Sequence, residues 1–396
     1  MPRSSGTGSA PSRSRPIRNA ASVLPEPVGA QSSVCAPEAI AGQPCSWAGV
    51  GPSGNASANQ AAVAGEKSCG SVADIPAVSL PSAVVIETLG DGLHRIRLPL
   101  PWSGLDHVWS YALEGPSGYT LFDAGLGTAE IMDVWRQVLP QLGAPVARLV
   151  ISHYHTDHIG ASRDLAALTG AEVVMSPTDA IQARHWHDPD SVAATRRHLE
   201  LHGCPEDVLE SVFGAFATLV ADVHPAAPAR LIDDGDVLVG AGESWRVVPV
   251  PGHADGQIAL FGTRSRRLLA ADAILDRIAP FVGVHPVSRP DPLGDHLAQL
   301  ERLARLDIAI AHPGHFDPIT DVPARAAELR AHHAERLVAH RAALAGGPAD
   351  AYTDSLAIYG DRLGPNSRRI AVVESLQMDE AERHVERGGR VVFSAR

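Results

Sequence analysis

The fold class this chain of 396 residues predicts is α/β, and two observations predict it. From about residue 82 onward, short apolar runs alternate with segments of helical period, and strand, helix, strand alternation builds a sheet with helices packed on its face. Within that rhythm the ends of several strand-like runs carry histidine or aspartate, which is where open α/β sheets present functional groups.

The first eighty residues stand apart. Residues 1–80 are rich in Ser, Gly, Ala and Pro, with few large apolar side chains and no sustained period. Such a segment cannot bury enough surface to offset its ordering entropy, so a disordered tail is expected over 1–80. Its arginines Arg3, Arg13, Arg15 and Arg18 have no apolar stretch of signal-peptide length behind them. No run anywhere approaches the roughly 20 apolar residues that span a bilayer, so a soluble, cytoplasmic protein with no membrane partner is expected. Cys35, Cys45 and Cys69 fall in the tail and only Cys204 in the part expected to fold, which excludes a disulfide framework there. A net charge of −12 without a basic run disfavours nucleic acid as a partner and leaves a small-molecule substrate. The oligomeric state is not legible.

The folded part begins with four strands, Val84 to Leu89, His94 to Leu100, Val108 to Leu113 and Tyr119 to Asp123, set off by turns such as Gly90-Asp91-Gly92. They read as a β-meander. Ile131, Val134, Trp135, Val138 and Leu142 then mark a helix over Ala129 to Leu142. Leu149-Val150-Ile151 reads as a buried strand, a helix runs from Gly160 to Gly170, and Glu172 to Met175 returns as a strand. Residues 177–224 break the rhythm with helical segments, including Ser191 to His202 and Pro205 to Val220. They form either an insertion over the mouth of a site, with His198 and His202 among its candidate side chains, or a helix pair covering a sheet edge. Strands resume at Arg230 to Ile232, Val237 to Val239 and Trp245 to Val250, and an amphipathic helix over Leu293 to Leu306 leads into a last strand before His315. Beyond Asp317, helices are expected over Val322 to Leu344, Ser355 to Leu363 and Val372 to Glu386, with a strand at Arg390 to Phe393, so residues 318–396 form a small, mostly helical appendage.

The densest chemistry lies in Ser152 to Gly160, where His153, His155, Asp157 and His158 follow an apolar strand. If that strand continues through His155, its period of two puts His153 and His155 on one side, where one metal ion can take both. Asp157 and His158 come where the chain leaves the strand, so they can address a second position a few ångströms away. A lone His-x-His such as His185 and His187 around Trp186 is weaker, and is ordinary surface or helix decoration unless the fold brings it to the site.

The pattern His-x-His-x-Asp-His resembles the signature of the metallo-β-lactamase superfamily, and that family's later ligands have counterparts here in the same order. They are His253 at the end of Val248-Pro249-Val250-Pro251-Gly252-His253, Asp272 after Leu268-Leu269-Ala270-Ala271, and His315 in His312-Pro313-Gly314-His315. His312 is expected to be buried structure. The resemblance covers about Val84 to Asp317 and implies a four-layer αββα sandwich as the catalytic domain, residues 82–317, with the helical insertion at about 177–224. Carried over position by position, it assigns His153, His155 and His253 to one divalent ion, Asp157, His158 and His315 to a second, and Asp272 to both. Zinc is the default for such donors, and iron or manganese also suits them. Asp123-Ala124-Gly125 resembles the family's Asp-Thr-Gly turn, whose aspartate steadies the ligand loop. A simple turn-capping role is the alternative. Pro251 to Leu260 resembles the Pro-Gly-His-Thr-x-Gly-His-x-x-Leu run of the glyoxalase II-like branch, with Gln257 where glyoxalase II carries a second histidine. Residues 318–396 resemble the winged-helix-like appendage of another branch.

The resemblance implies a binuclear metal-dependent hydrolase in which a bridging hydroxide attacks the substrate and Asp157 orients it and accepts its proton. Tyr154, His185 and His187 are the candidates for the substrate pocket. A small thioester or ester is the leading substrate; a phosphodiesterase or endoribonuclease, a lactonase and a β-lactamase are the alternatives, because the fold does not choose among them.

Overall fold

The computed structural model describes residues 86–102, 104–185, 188–221, 223–376, 381–385 and 390–395. The tail expected to be disordered, residues 1–80, lies outside these residues, as do Val84, Val85, Trp186 and His187. Strands β1 (Ile86–Gly90), β2 (Leu93–Trp102), β3 (Leu105–Leu113) and β4 (Tyr119–Phe122) form the antiparallel meander. Helix α1 (Ala129–Leu142) returns the chain to β5 (Val146–Val150), which lies parallel to β4. The short helix α2 (Thr156–Ile159) and α3 (Ser162–Thr169) then lead to β6 (Glu172–Met175), parallel to β5. Helices α4 (Pro177–His185), α5 (Pro189–Leu201) and α6 (Glu206–Ala221) intervene before β7 (Arg230–Leu231) completes a seven-stranded sheet in the order β1 to β7.

A second sheet takes β8 (Val237–Gly240), β9 (Glu243–Pro249), β10 (Ile258–Gly262), β11 (Arg267–Ala271) and, after α7 (Pro292–Arg305), β12 (Ile310–Pro313). Its order is β12-β11-β10-β9-β8, antiparallel except for β11 with β12. Helices α8 (Val322–Leu344), α9 (Ala351–Tyr359) and α10 (Pro365–Ser375) follow, and the hairpin of β13 (Ala381–Val385) and β14 (Val391–Ala395) closes the described chain. No helix among the described residues is long and apolar enough to cross a membrane.

The period of two sorts the strands' side chains into layers. Tyr111, Phe122 and Val150 of the first sheet pack against Trp245, Val247, Leu260 and Leu269 of the second, which makes the central core. On the outer face of the first sheet, Leu121, Leu149 and Val173 meet Ile131 and Trp135 of α1 and Leu165 of α3. On the outer face of the second, Val248, Ala259, Leu268 and Ala270 meet Leu300 and Leu303 of α7 and Val322 and Leu329 of α8. Helix, sheet, sheet, helix is the four-layer αββα sandwich that the sequence implies. Separately, Leu199 of α5 and Leu209 and Val212 of α6 share a core with Leu344, Val372, Val373 and Phe393, so the insertion and the C-terminal segment are packed as one body.

Three local expectations are corrected. β5 ends at Val150, so His153 and His155 stand on a loop and not on a strand. The expected helix over Ser355 to Leu363 starts earlier, at Ala351, because the Asp350 side chain accepts from Thr353 N and caps it. The expected helix over Val372 to Glu386 is α10, ending at Ser375, and Ala381–Val385 instead pairs with β14. The long-range partner decides that segment, and a strand's partner is not written in its own periodicity.

Trp245 has no exposure between the two sheets and donates its indole N–H to Gly240 O at 2.9 Å. Trp245→Ala is expected to cost about 3–5 kcal/mol in urea unfolding; a loss below about 1 kcal/mol would mean that the inter-sheet core closes over the gap.

Candidate metal centre

The ends of the strands converge. The 151–155 loop and the first turn of α2 follow β5, while His253, Asp272 and His315 follow β9, β11 and β12. Each sheet thus supplies part of one site. Ser152 leaves the β-ladder because its N–H and hydroxyl both donate to the Asp123 carboxylate, at 2.7 and 2.8 Å. The ligand loop that follows is turned by this contact.

His153, His155 and His253 point ring nitrogens into one small volume. His155 Nδ1 lies 3.0 Å from His153 Nε2 and 2.7 Å from His253 Nε2. Asp157, His158 and His315 form a second group, with His315 Nε2 at 3.3 Å from Asp157 Oδ2. Asp272 touches both groups: its Oδ2 is 3.4 Å from His253 Nε2 and 3.4 Å from His315 Nε2, and its Oδ1 is 3.5 Å from His158 Nε2. Gly314 makes room for this, since a Cβ there would stand 2.5 Å from Asp272 Oδ1 and 2.9 Å from His158 Cε1.

The far side of each ring decides which nitrogen carries the proton. His253 Nδ1 faces Phe281 O at 2.6 Å and His315 Nδ1 faces His107 O at 2.7 Å; a carbonyl accepts only, so both Nδ1 atoms donate. His158 Nδ1 donates to the Asp123 carboxylate at 2.8 Å. Ser152 has spent its hydroxyl hydrogen on Asp123, so its Oγ accepts from His153 Nδ1 at 2.9 Å. In the neutral form, all four rings therefore turn a bare Nε2 lone pair toward the centre. Lone pairs and carboxylate oxygens crowded together repel unless a cation lies among them. The buried His158 Nε2 and Asp272 Oδ1 lack a hydrogen-bond partner, so the donor set fits a divalent metal.

The two halves differ in charge. Burial, reinforced by the facing imidazoles, holds His153 and His155 well below the ordinary histidine value. Burial pushes His158 and His315 the same way, but Asp272 with Asp123 and Asp157 overcomes it at His158, and Asp272 with Asp157 lifts His315 to about 10. Burial raises Asp157, yet the charge of His158 and the bond from His315 bring it to about 2. One half is thus a neutral nitrogen trio and the other a carboxylate–imidazolium set whose protons a cation must displace.

All seven sequence-derived ligand candidates are brought together. Asp123 is more than a turn cap: it sits at φ 71°, and its carboxylate fixes both Ser152 and His158. Tyr154 packs its ring edge-on to His155, 4.7 Å between centroids. His185 lies away from the ligand groups, bonded through Nδ1 to Ser191 Oγ at 2.9 Å, but lines a neighbouring cavity with Tyr154. His198 and His202 pack on each other, and His202 stacks on Phe393, away from the ligands. His312 is buried beside Tyr111 and outside the ligand groups.

Sequence reasoning missed Asp179. Fully buried in the first turn of α4, its carboxylate accepts from Tyr154 N at 3.1 Å and Gly256 N at 2.7 Å, tying the loop of His153 and His155 to the loop of His253. Gln257, where a second histidine was the family's pattern, is also fully buried, and its amide oxygen accepts from Asp272 N at 3.2 Å and Ala273 N at 2.7 Å. It steadies the Asp272 backbone from the position where the branch's histidine would stand.

The family model of the metallo-beta-lactamase superfamily matches residues 103–315. The chain is 29% identical to the Bacillus subtilis protein named probable metallo-hydrolase YqjP over 246 residues, 58% of this chain and 73% of that one. It is 25% identical to an acyl-coenzyme A thioesterase of Gallus gallus over 244 residues, covering 58% of this chain and 79% of that protein. The crystal structure of a metallo-beta-lactamase family protein from Thermus thermophilus superposes with a TM-score of 0.68 at 33% identity, covering 78% of this chain and all (100%) of that one.

Asp179→Ala would leave two loop N–H groups without their acceptor, so zinc affinity, measured by chelator competition, is expected to fall about 10- to 100-fold. Unchanged affinity would show that the two loops hold their positions without it. Because His315 keeps its proton up to about pH 10, adding zinc to metal-free protein at pH 7 should acidify a weakly buffered solution; a pH indicator showing no proton release would contradict the charge assignment.

Proposed function

The chain belongs to the metallo-β-lactamase superfamily, and from that premise we propose that it hydrolyses small thioesters or esters with two divalent cations, zinc foremost. The observation that carries this reading is the position of Asp272, within 3.4–3.5 Å of ligand nitrogens from both groups. His153, His155 and His253 would hold one cation, and Asp157, His158 and His315 the other, with Asp272 reaching both. Bound there, such ions supply Lewis acidity and bring the pKa of water toward neutrality.

The chain's own residues do the rest. Asp157, held ionised down to about pH 2, accepts a hydrogen bond from the attacking water and orients it; a carboxylate that acidic positions a proton better than it stores one. Asp123, Phe281 O and His107 O keep the imidazoles turned so that their Nε2 atoms stay available. Tyr154 and Phe281 cover part of the half-buried His155 ring with aromatic surface. The acyl-coenzyme A thioesterase relative supports a thioester as substrate. In this reading residues 82–317 carry the chemistry, while the 177–224 insertion and residues 318–396 shape access to it.

Asp157→Asn keeps the side chain's size and removes its charge. In a zinc-loaded protein assayed on a panel of thioesters and esters, the variant is expected to lose activity by about 10³-fold or more with little change in melting temperature. Retained turnover with unchanged metal content would sink the mechanism, and a wild type that binds two metals yet cleaves nothing on the panel would move the assignment to phosphodiesters, lactones or β-lactams.

A further inference from the structure

Beside the metal centre lies a cavity of about 580 Å³, measured out to its open mouth. One wall of it is the ligand loop itself, since Tyr154, which stands between His153 and His155 in the chain, lines the cavity and packs its ring on His155. Phe281 makes a second connection, its ring centroid 6.4 Å from that of His155 and 5.8 Å from that of His285 on the cavity wall. The other walls bring apolar side chains from distant parts of the chain, with Val192 from α5, Val212, Phe213 and Phe216 from α6, and Val287 from the loop between β11 and α7. The polar members of the described lining are engaged within the protein. Gln182 Nε2 donates to Asp255 Oδ2 and to Val287 O, both at 3.1 Å. His185 Nδ1 meets Ser191 Oγ at 2.9 Å, Thr195 Oγ1 donates to Ser191 O at 3.0 Å, and His285 and Arg369 have interactions of their own.

What such a wall leaves for a ligand is apolar surface. A pocket of this kind gains affinity with the hydrocarbon it takes from water, and a polar or charged group carried into it is left without a partner. Because Tyr154 belongs both to the ligand loop and to the cavity, a substrate whose reacting carbonyl is at the centre can extend its acyl chain into the cavity. We infer that this cavity receives that chain, and that the protein selects thioesters of uncharged, aliphatic acyl groups longer than acetyl. The inference rests on the hydrolase reading above for the word acyl, and on the cavity lining for the apolar selection. The insertion helices α5 and α6 are then the element that sets chain-length preference, since they supply Val192, Val212, Phe213 and Phe216. The polar thiol portion of a thioester has no match in these walls and would lie outside them.

The test is calorimetric binding, to zinc-loaded full-length protein, of uncleavable ketone thioethers of N-acetylcysteamine, in which a methylene separates sulfur from the carbonyl. Their acyl-side chain runs from methyl to nonyl, and hydrolysis of the matching thioesters is measured alongside. Affinity is expected to climb about two- to fourfold for each methylene added until the chain fills the cavity. A chain of the same length ending in a carboxylate should bind more weakly than its methyl-ended counterpart. Thr195→Phe, which fills the cavity from α5, should bring the gain per methylene toward one. Val192→Asn, which puts an amide into the apolar wall, should lower that gain, and it carries the comparison if Thr195→Phe does not fold. Affinity that is flat across the wild-type series, or a climb that the folded variants keep, would overturn the assignment; with thioester cleavage intact, it would leave the hydrolase reading standing. A gain that follows an alkyl group on the thiol side instead would overturn it as well. A variant-sensitive climb in a protein that cleaves none of the thioesters would uphold the cavity as a site for aliphatic chains and retire the hydrolase reading.

Discussion

The carboxylate of Asp123 is the constraint on which the centre depends. It accepts from Ser152 N, Ser152 Oγ and His158 Nδ1 within 2.7–2.8 Å, while its own carbonyl is held by Ser110 Oγ at 2.8 Å. Those bonds end β5, start the ligand loop and fix the proton of His158; through Ser152 they fix that of His153. The residue does this in the left-handed region, at φ 71°, and Ala271 (φ 43°) and Phe316 (φ 64°), next to Asp272 and His315, are strained in the same way. Each such residue costs of the order of 1–3 kcal/mol, which the surrounding layers must offset. The sandwich thus holds in place a trio of neutral imidazoles beside a carboxylate–imidazolium set.

The four layers and the helical cover divide the labour. The layers position the candidate ligands because each group follows a strand with a paired neighbour. The cover is built differently: α5 and α6 bury Leu199, Leu209 and Val212 against Leu344, Val372 and Phe393, so segments separated by more than a hundred positions complete one body. A cavity wall assembled from both, as at Phe216 and Arg369, can change its chemistry without disturbing a ligand.

The ligands were legible because their chemistry is spelled in side chains: a His-x-His-x-Asp-His run and three later strand ends. Helices α1 and α8 were equally legible, with their apolar spacing and their caps in the sequence itself. The loop conformation of His153 and His155 was not, since the group that pulls Ser152 out of the ladder lies 29 positions earlier. Nor were the acceptors that set the tautomers of His253 and His315, which are backbone carbonyls of Phe281 and His107 and carry no letter of their own. Asp179 looked like any acid in a helix's first turn, and only the fold reveals the two loops it joins. β13 was hidden for a related reason, because Ala-Glu-Arg-His-Val becomes a strand through β14 alone.

The centre also straddles the two sheets. His153, His155, Asp157 and His158 hang from the first and His253, Asp272 and His315 from the second, and β3 of the first grips the last loop of the second through Trp109 N to Gly314 O at 2.7 Å and Trp109 Nε1 to Phe316 O at 2.9 Å. A cation shared between such donors would be a staple across the sandwich, held only while both halves are folded. At a hundred times its dissociation constant it adds about 2.7 kcal/mol to the folding free energy. Were such a cation bound, scarcity of metal would thin the population of folded molecules as well as silence those that remain.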